Sequence, residues 1–256
     1  LTSSTDEILT LLDPDNIAFP ETSKALDDPN GLLAVGGDLT PEWLLAAYRK
    51  GIFPWFSDDQ PILWWSPSPR CVVRPQSLVF SRSLRKVIRQ ARYQVTFDQA
   101  FEAVLDGCAA PRASESGTWI TDDMREAYLD MHQLGYAHSV ETWSNGELVG
   151  GLYGLAIGKV FFGESMFHRA TDASKVAFAY LVRQVAHWGG QLIDCQVSNP
   201  HLASLGAKEM SRADFESLLR TGLGDSANSA DTEGTREPGF PHLWPSSPSP
   251  ELFESM

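Results

Sequence analysis

The run from Val149 to Val197 limits the possible folds more than any other part of this 256-residue chain. Val149 to Gly163 reads as two strands joined by a turn, followed by Glu164-Ser-Met-Phe-His-Arg169. An apolar helix from Lys175 to Trp188 is stopped by Gly189-Gly190, and a last strand covers Gln191 to Val197. Upstream, Val140-Glu-Thr-Trp143 and an Asn145-Gly146 turn add a further strand, so an antiparallel meander precedes the helix. Gly150, Gly151 and Gly154 in the middle strand predict a bulge or the close approach of another backbone. The expected class is α+β. A small N-terminal α/β domain would cover residues 1–69, a larger domain with a mixed, largely antiparallel sheet 70–224, and a tail 225–256.

Strand side chains alternate between faces, so Asp194 and Gln196 are expected to project one way while Ile193, Cys195 and Val197 take the other. Glu164 closes a strand expected nearby, and Phe161, Phe162, Met166 and Phe167 make its surroundings apolar. Two carboxylates and an amide in an apolar hollow form a candidate ligand site. The same alternation also fits an ordinary solvated strand face.

Charge bears on the choice of partner. The net charge of −13 speaks against nucleic acid, but the charge is unevenly placed. Residues 1–60 carry eleven acids and three bases, residues 225–256 six acids and one base, and the stretch between them is neutral. Within it, Gln60 to Phe97 has no Asp or Glu. Residues 81–91 there read as a helix with Arg82, Arg85, Lys86 and Arg89 on one face and Leu84, Val87 and Ile88 on the other. That face is either solvated or a contact for phosphates.

Toward the N-terminus, Thr40-Pro41-Glu42 opens a helix that Gly51 ends, with Leu44, Leu45 and Tyr48 on its apolar face. Phe53-Pro-Trp-Phe and Leu63-Trp-Trp follow as an aromatic cluster, suited to inter-domain packing or to a binding platform. Two more helices, Asp98 to Ala109 and Thr121 to Leu134, flank Gly117-Thr-Trp119-Ile. Cys71, Cys108 and Cys195 lack metal-ligand spacing, so neither a disulfide framework nor a metal is expected. No apolar run approaches the roughly 20 residues that span a bilayer, and no leader pattern opens the chain, so the cytoplasm is the expected compartment. The Ser/Pro-rich tail is expected to be largely disordered, with Phe240, Leu243 and Trp244 able to dock locally.

Six motifs carry a family resemblance: Phe53-Pro-Trp-Phe-Ser57, Leu63-Trp-Trp-Ser-Pro67, Gly117-Thr-Trp-Ile-Thr121, Gly163-Glu-Ser-Met-Phe167, Ala173-Ser-Lys175 and Asp194-Cys-Gln196. In this order, from about Ile17 to Phe215, the chain resembles the leucyl/phenylalanyl-tRNA–protein transferases. The resemblance implies an acetyltransferase-like (GNAT-like) larger domain. It also implies transfer of Leu, Phe or Met from aminoacyl-tRNA to proteins with N-terminal Arg or Lys, marking them for N-degron proteolysis. No cofactor is implied, and a monomer is expected. Trp55 and Trp119 would sandwich the terminal adenine. Asp194 and Gln196 would occupy the catalytic neighbourhood, Glu164 would hold Gln196 or the acceptor's amino end, and Arg82, Arg85, Lys86 and Arg89 would contact tRNA phosphates. Leu152, Phe161, Met166 and Ile193 could line a pocket for an unbranched-at-β donor side chain.

Two other functions compete. An acyl-CoA-dependent acetyltransferase would need a glycine-rich turn before the helix to cradle pyrophosphate, and Ser165 to Ser174 contains no glycine. A noncatalytic RNA-binding module would leave Glu164, Asp194 and Gln196 idle.

Overall fold

A computed structural model describes residues 9–78, 80–110, 120–224, 239–241 and 243–253. The N-terminal part contributes β1 (Thr10–Leu12), β2 (Leu32–Gly36), α1 (Pro41–Arg49), β3 (Phe53–Pro54) and β4 (Leu63–Trp65). Its four strands form one sheet in the order β1-β2-β4-β3, with β1 and β2 parallel. Next come β5 (Arg70–Val73), α2 (Arg82–Arg89), β6 (Gln94–Phe97), α3 (Phe101–Ala109) and α4 (Asp122–Gln133). The meander is β7 (Ala137–Ser144), β8 (Glu147–Ile157) and β9 (Val160–His168). It is followed by α5 (Ala173–His187), β10 (Leu192–Asp194), α6 (Pro200–Ser204), β11 (Lys208–Met210) and α7 (Arg212–Leu223).

The second sheet has seven strands in the order β11-β5-β10-β9-β8-β7-β6, and only β9 and β10 pair in parallel. This is the expected α+β class. The β7–β8 hairpin turns at Asn145 and Gly146, both at positive φ, as a two-residue turn requires. Gly154 sits where β8 and β9 shift register, and a Cβ there would overlap the Phe162 carbonyl oxygen, so the strand needs glycine at this point.

The seven-stranded sheet is buried on both faces. Leu152, Ala156, Phe161 and Ile193 pack toward α2 and α5, while Tyr153, Leu155, Phe162 and Leu192 face α1, α3, α4 and α7. On the latter side the core runs without a break from Trp64 and Trp43 of the N-terminal part through Tyr48 to Phe162, whose ring meets Tyr48 edge-on at 5.1 Å.

Thr121 caps α4 as expected, accepting from the Met124 N–H at 3.2 Å. The capping hydroxyl of Thr40 makes no such bond, and α5 begins at Ala173 after Asp172, whose φ is +64°.

In the described portion of the tail, Phe240 and Trp244 dock locally as expected, and Leu243 does not. Phe240 and Trp244 are buried against the α5 side of the sheet and Leu252 is also buried, although Leu243 is exposed. The Trp244 indole stacks flat on His138 at 4.4 Å and meets Phe97 and Trp188 edge-on. Gln184 of α5 both donates to Ser249 Oγ and accepts from the Ser249 N–H, and the Phe97 N–H donates to the Ser246 carbonyl at the sheet edge. A few large aromatics bury enough apolar surface to order a Ser/Pro-rich segment, which average composition conceals. Residues 225–238 lie outside the described residues. Trp244→Ala should lower unfolding free energy by about 3–5 kcal/mol, the usual cost of removing a buried Trp side chain, as measured by urea denaturation.

Candidate active site

The parallel pairing of β9 with β10 covers only Val160–Phe162 against Leu192–Asp194. Past that point β9 continues to His168 while β10 ends, so the two strands leave a wedge between them. A cavity of about 1330 Å³ occupies it, reaching Phe53–Trp55 of the N-terminal part, Gly107 of α3 and Phe178 of α5.

The strand predicted to run to Val197 stops at Asp194, and a bulge replaces the expected alternation. Cys195 donates its N–H to the Cys71 carbonyl at 2.8 Å, while the Cys71 N–H goes to the Gln196 carbonyl at 3.0 Å, so two residues of one chain segment face one of the other. Gln196 takes φ +56°. Its N–H returns to Asp194 Oδ1 at 3.0 Å, and its side-chain amide donates to Glu164 Oε1 at 3.0 Å. Glu164 and Gln196 thus meet at the cavity wall, as the sequence suggests, by way of a bulge instead of a shared strand face.

Asp194 has a different setting. It is fully buried, and both of its oxygens accept from Arg70, Nε to Oδ1 at 2.8 Å and Nη2 to Oδ2 at 2.6 Å. The Arg70 guanidinium lies between the rings of Phe53 and Phe215, at 4.9 and 4.5 Å. Gln196, not Asp194, lines the cavity. Arg70 itself belongs to the basic stretch in sequence but has no exposure at all.

Glu164 closes a ring of oxygens. Tyr48 Oη lies 2.8 Å from Oε1, Tyr128 Oη lies 2.8 Å from Oε2, and the two hydroxyls are 2.6 Å apart. Three hydrogen bonds require three protons, and the tyrosines supply two. The third is present when Glu164 is protonated. Burial raises the Glu164 pKa to about 7, opposed by the hydrogen bonds from Tyr48, Tyr128 and Gln196 and aided by the charge of Asp194. Burial and the neighbouring Glu164 likewise hold Tyr48 and Tyr128 well above the usual phenol range, so both stay neutral donors.

On the α5 side, Leu152, Met166 and Ile193 line the cavity with Phe178 and Leu181. Phe161, predicted to join them, is fully buried in the core and is not part of the wall. Trp55 stands half-exposed at the mouth, its carbonyl accepting from the Trp65 indole N–H at 2.7 Å. Trp119 lies outside the described residues. His168, Arg169 and His201 add cationic or titratable groups to the rim; burial, then Lys175 and His168, lower the pKa of His201.

On α2, Arg82, Lys86 and Arg89 are exposed and Arg85 partly so, with Leu84, Val87 and Ile88 buried beneath them. None of the four cations forms an ion pair among the described residues. No set of three His, Cys, Asp or Glu among the described residues is arranged to hold a metal.

Sequence reasoning missed Arg70, Tyr48, Tyr128, Phe178 and Leu181 as site residues. The two tyrosines lie on otherwise apolar helix faces, where a buried hydroxyl needs a partner; that need was the available signal.

A model for the leucyl/phenylalanyl-tRNA protein transferase matches residues 72–220, and one for the N-terminal domain of the same family matches residues 37–68. A leucyl/phenylalanyl-tRNA–protein transferase from Pseudomonas fluorescens is 62% identical over 216 residues, covering 84% of this chain and 96% of that protein. Relatives with the same name from Saccharophagus degradans (56% over 226 residues, 88% of this chain and 93% of that one) and Pseudomonas putida (60% over 223 residues, 87% and 98%) match as extensively. Among solved structures, a GCN5-related N-acetyltransferase from Kribbella flavida aligns with a TM-score of 0.37 at 14% identity, over 67% of this chain and 61% of that one. With the family models spanning both the N-terminal part and the seven-stranded sheet, and relatives near 60% identity over most of its length, this chain belongs to the leucyl/phenylalanyl-tRNA–protein transferase family.

Proposed function

We propose that the protein transfers Leu, Phe or Met from aminoacyl-tRNA to the N-terminal Arg or Lys of acceptor proteins, marking them for N-degron proteolysis. It works in the cytoplasm as a monomer, without metal or cofactor. The observation that carries the reading is one cavity with the Glu164–Gln196 pair on one side and an apolar pocket of Leu152, Met166, Ile193, Phe178 and Leu181 on the other.

The donor ester is already activated, so the work of the site is to hold two substrates and to move protons. The donor side chain fills the apolar pocket, where a branch at Cβ would meet the wall near its entrance. Trp55 stacks on the terminal adenine from the mouth. The acceptor's neutral α-amino group attacks the ester carbonyl carbon, a new C–N bond forms, the ribose oxygen leaves with the electrons of the broken C–O bond, and the proton the amine gives up ends on that oxygen. Gln196 Nε2 is committed to Glu164, which leaves Oε1 to accept a hydrogen bond from the attacking amine. Asp194 orients this amide through the bulge and takes no proton, because Arg70 occupies both its oxygens. The Glu164–Tyr48–Tyr128 ring stands behind Gln196 and holds a proton near neutrality. The exposed cations of α2 hold tRNA phosphates.

The experiment that decides the reaction class is incubation with radiolabelled Leu-tRNA and an Arg-initiated peptide without ATP or acetyl-CoA. Label must appear in the peptide; its absence refutes the reading.

Individual variants test the parts. Gln196→Ala should lower kcat on the order of a hundredfold with folding stability nearly unchanged. Asp194→Ala should also lose activity, but with a stability cost of about 3–5 kcal/mol from the stranded Arg70, read from denaturant titrations of both proteins.

The Glu164 carboxyl titrates at 4.5 in an ordinary setting and at about 7 in the fold. Its protonated form is the one the fold favours, so its contribution is complete below about pH 4.5 and is lost as pH rises through 7. Relative to Glu164→Gln, the parent should therefore lose thermal stability across that window, a difference that scanning calorimetry at stepped pH would detect.

Changing Arg82, Arg85, Lys86 and Arg89 together to Gln should weaken tRNA binding and flatten its salt dependence, by roughly 0.7–0.9 in logarithmic slope for each phosphate no longer neutralised. Transfer from a short aminoacyl-adenosine analogue should persist. Equal loss with both donors would mean a damaged fold, and no loss with either would return the helix to a solvated face.

A further inference from the structure

Cys71 and Cys195 face each other at the bulge, one residue beyond Val72 and Asp194, the last paired residues of β5 and β10. Their side chains share one face of the sheet with Val73 and Ile193, away from Arg70 and Asp194. Cys195 donates its N–H to the Cys71 carbonyl, so the two residues are neighbours on adjacent strands, which lie roughly 5 Å apart, within the roughly 4.4–6.8 Å between Cα atoms that a disulfide spans. The thiols already interact: each is the largest influence on the other's proton, lowering the pKa of Cys71 and raising that of Cys195. Both are reduced here, and Cys195 forms part of the cavity wall beside Gln196. Cys108, the remaining cysteine, lies in α3 on the opposite side of the sheet.

We propose that Cys71 and Cys195 form a dithiol that hydrogen peroxide converts to a disulfide, shutting off the transfer site by moving Gln196. Loss of one proton from the pair leaves a single thiolate shared between the two sulfurs, of which Cys195 is the one that lines the cavity. That sulfur attacks one peroxide oxygen; the O–O bond breaks, giving Cys195 sulfenic acid and a hydroxide that leaves as water with the released proton. The Cys71 sulfur then attacks the Cys195 sulfur; the S–O bond breaks, the S–S bond forms, and a second water carries away the Cys71 proton. Two thiols are oxidised and one peroxide is reduced to two waters. The bond crosses the very bulge that aims Gln196 at Glu164, since the Cys71 backbone bonds to both Cys195 and Gln196. Drawing the sulfurs together changes that bulge, and a misplacement of about 1 Å costs on the order of a hundredfold in rate. The cross-link is independent of the proposed reaction; the switching rests on it.

The test treats the full chain with hydrogen peroxide, then reads intact mass, a non-reducing peptide map and Leu transfer before and after dithiothreitol. Expected are the loss of two hydrogens, a peptide joining Cys71 to Cys195, and a fall in transfer that dithiothreitol reverses. Cys71→Ser and Cys71→Ala, each checked for fold by circular dichroism, should keep transfer through the same treatment. No Cys71–Cys195 link, a link with transfer unchanged, or equal inactivation of both variants overturns the proposal. Because the link is read without any transfer, an inactive reduced protein would count against the reaction assigned above and not against the thiol pair.

Discussion

The buried pair of Arg70 and Asp194 holds the site together. Two charges removed from water cost several kcal/mol each, and only near-ideal geometry offsets that cost. Here the guanidinium forks onto both carboxylate oxygens and is faced by two aromatic rings, Phe53 from the N-terminal sheet and Phe215 from α7. The pair therefore joins four elements distant in sequence. Asp194 Oδ1 also receives the Gln196 N–H, so the same charge that anchors β10 to β5 fixes the bulge after it. The pair thus helps to set both the direction of Gln196 and the seat of the N-terminal part.

The parts legible in sequence are those whose cause is local. The meander follows from period-two patterning and from Asn145-Gly146, and the basic face of α2 follows from helical spacing; both stand where they were expected. Glu164 and Gln196 were also paired correctly, but for the wrong geometric reason: strand alternation places Asp194 beside Gln196 in the open, whereas the structure turns Asp194 inward. Arg70 was hidden by its neighbours, because a cation among cations reads as surface, and only Phe53, Phe215 and Asp194, all remote in sequence, make it core. Tyr48 and Tyr128 were hidden in the opposite way, their rings satisfying an apolar face while their hydroxyls served another residue. In the tail the large aromatics were the legible part: Phe240 and Trp244, singled out among serines and prolines, are buried, while Leu243 is exposed.

Charge is divided by location. An overall acidic surface keeps nonspecific association with polyanions weak, and the four cations of α2 concentrate attraction on one helix face. On the proposed function, an incoming polyanion would be oriented before it is bound, which favours rate and register over raw affinity.

The wedge between β9 and β10 carries a kinetic consequence. The apolar pocket opens on the α5 face of the sheet, whereas Glu164 and its two tyrosines belong to the opposite face, so the cavity passes through the sheet. On the proposed function, donor and acceptor would occupy the gap together, with no need for one to leave before the other enters. An enzyme of that kind would work through a ternary complex: double-reciprocal plots at several fixed acceptor concentrations would intersect, and no aminoacyl group would rest on the protein between substrates.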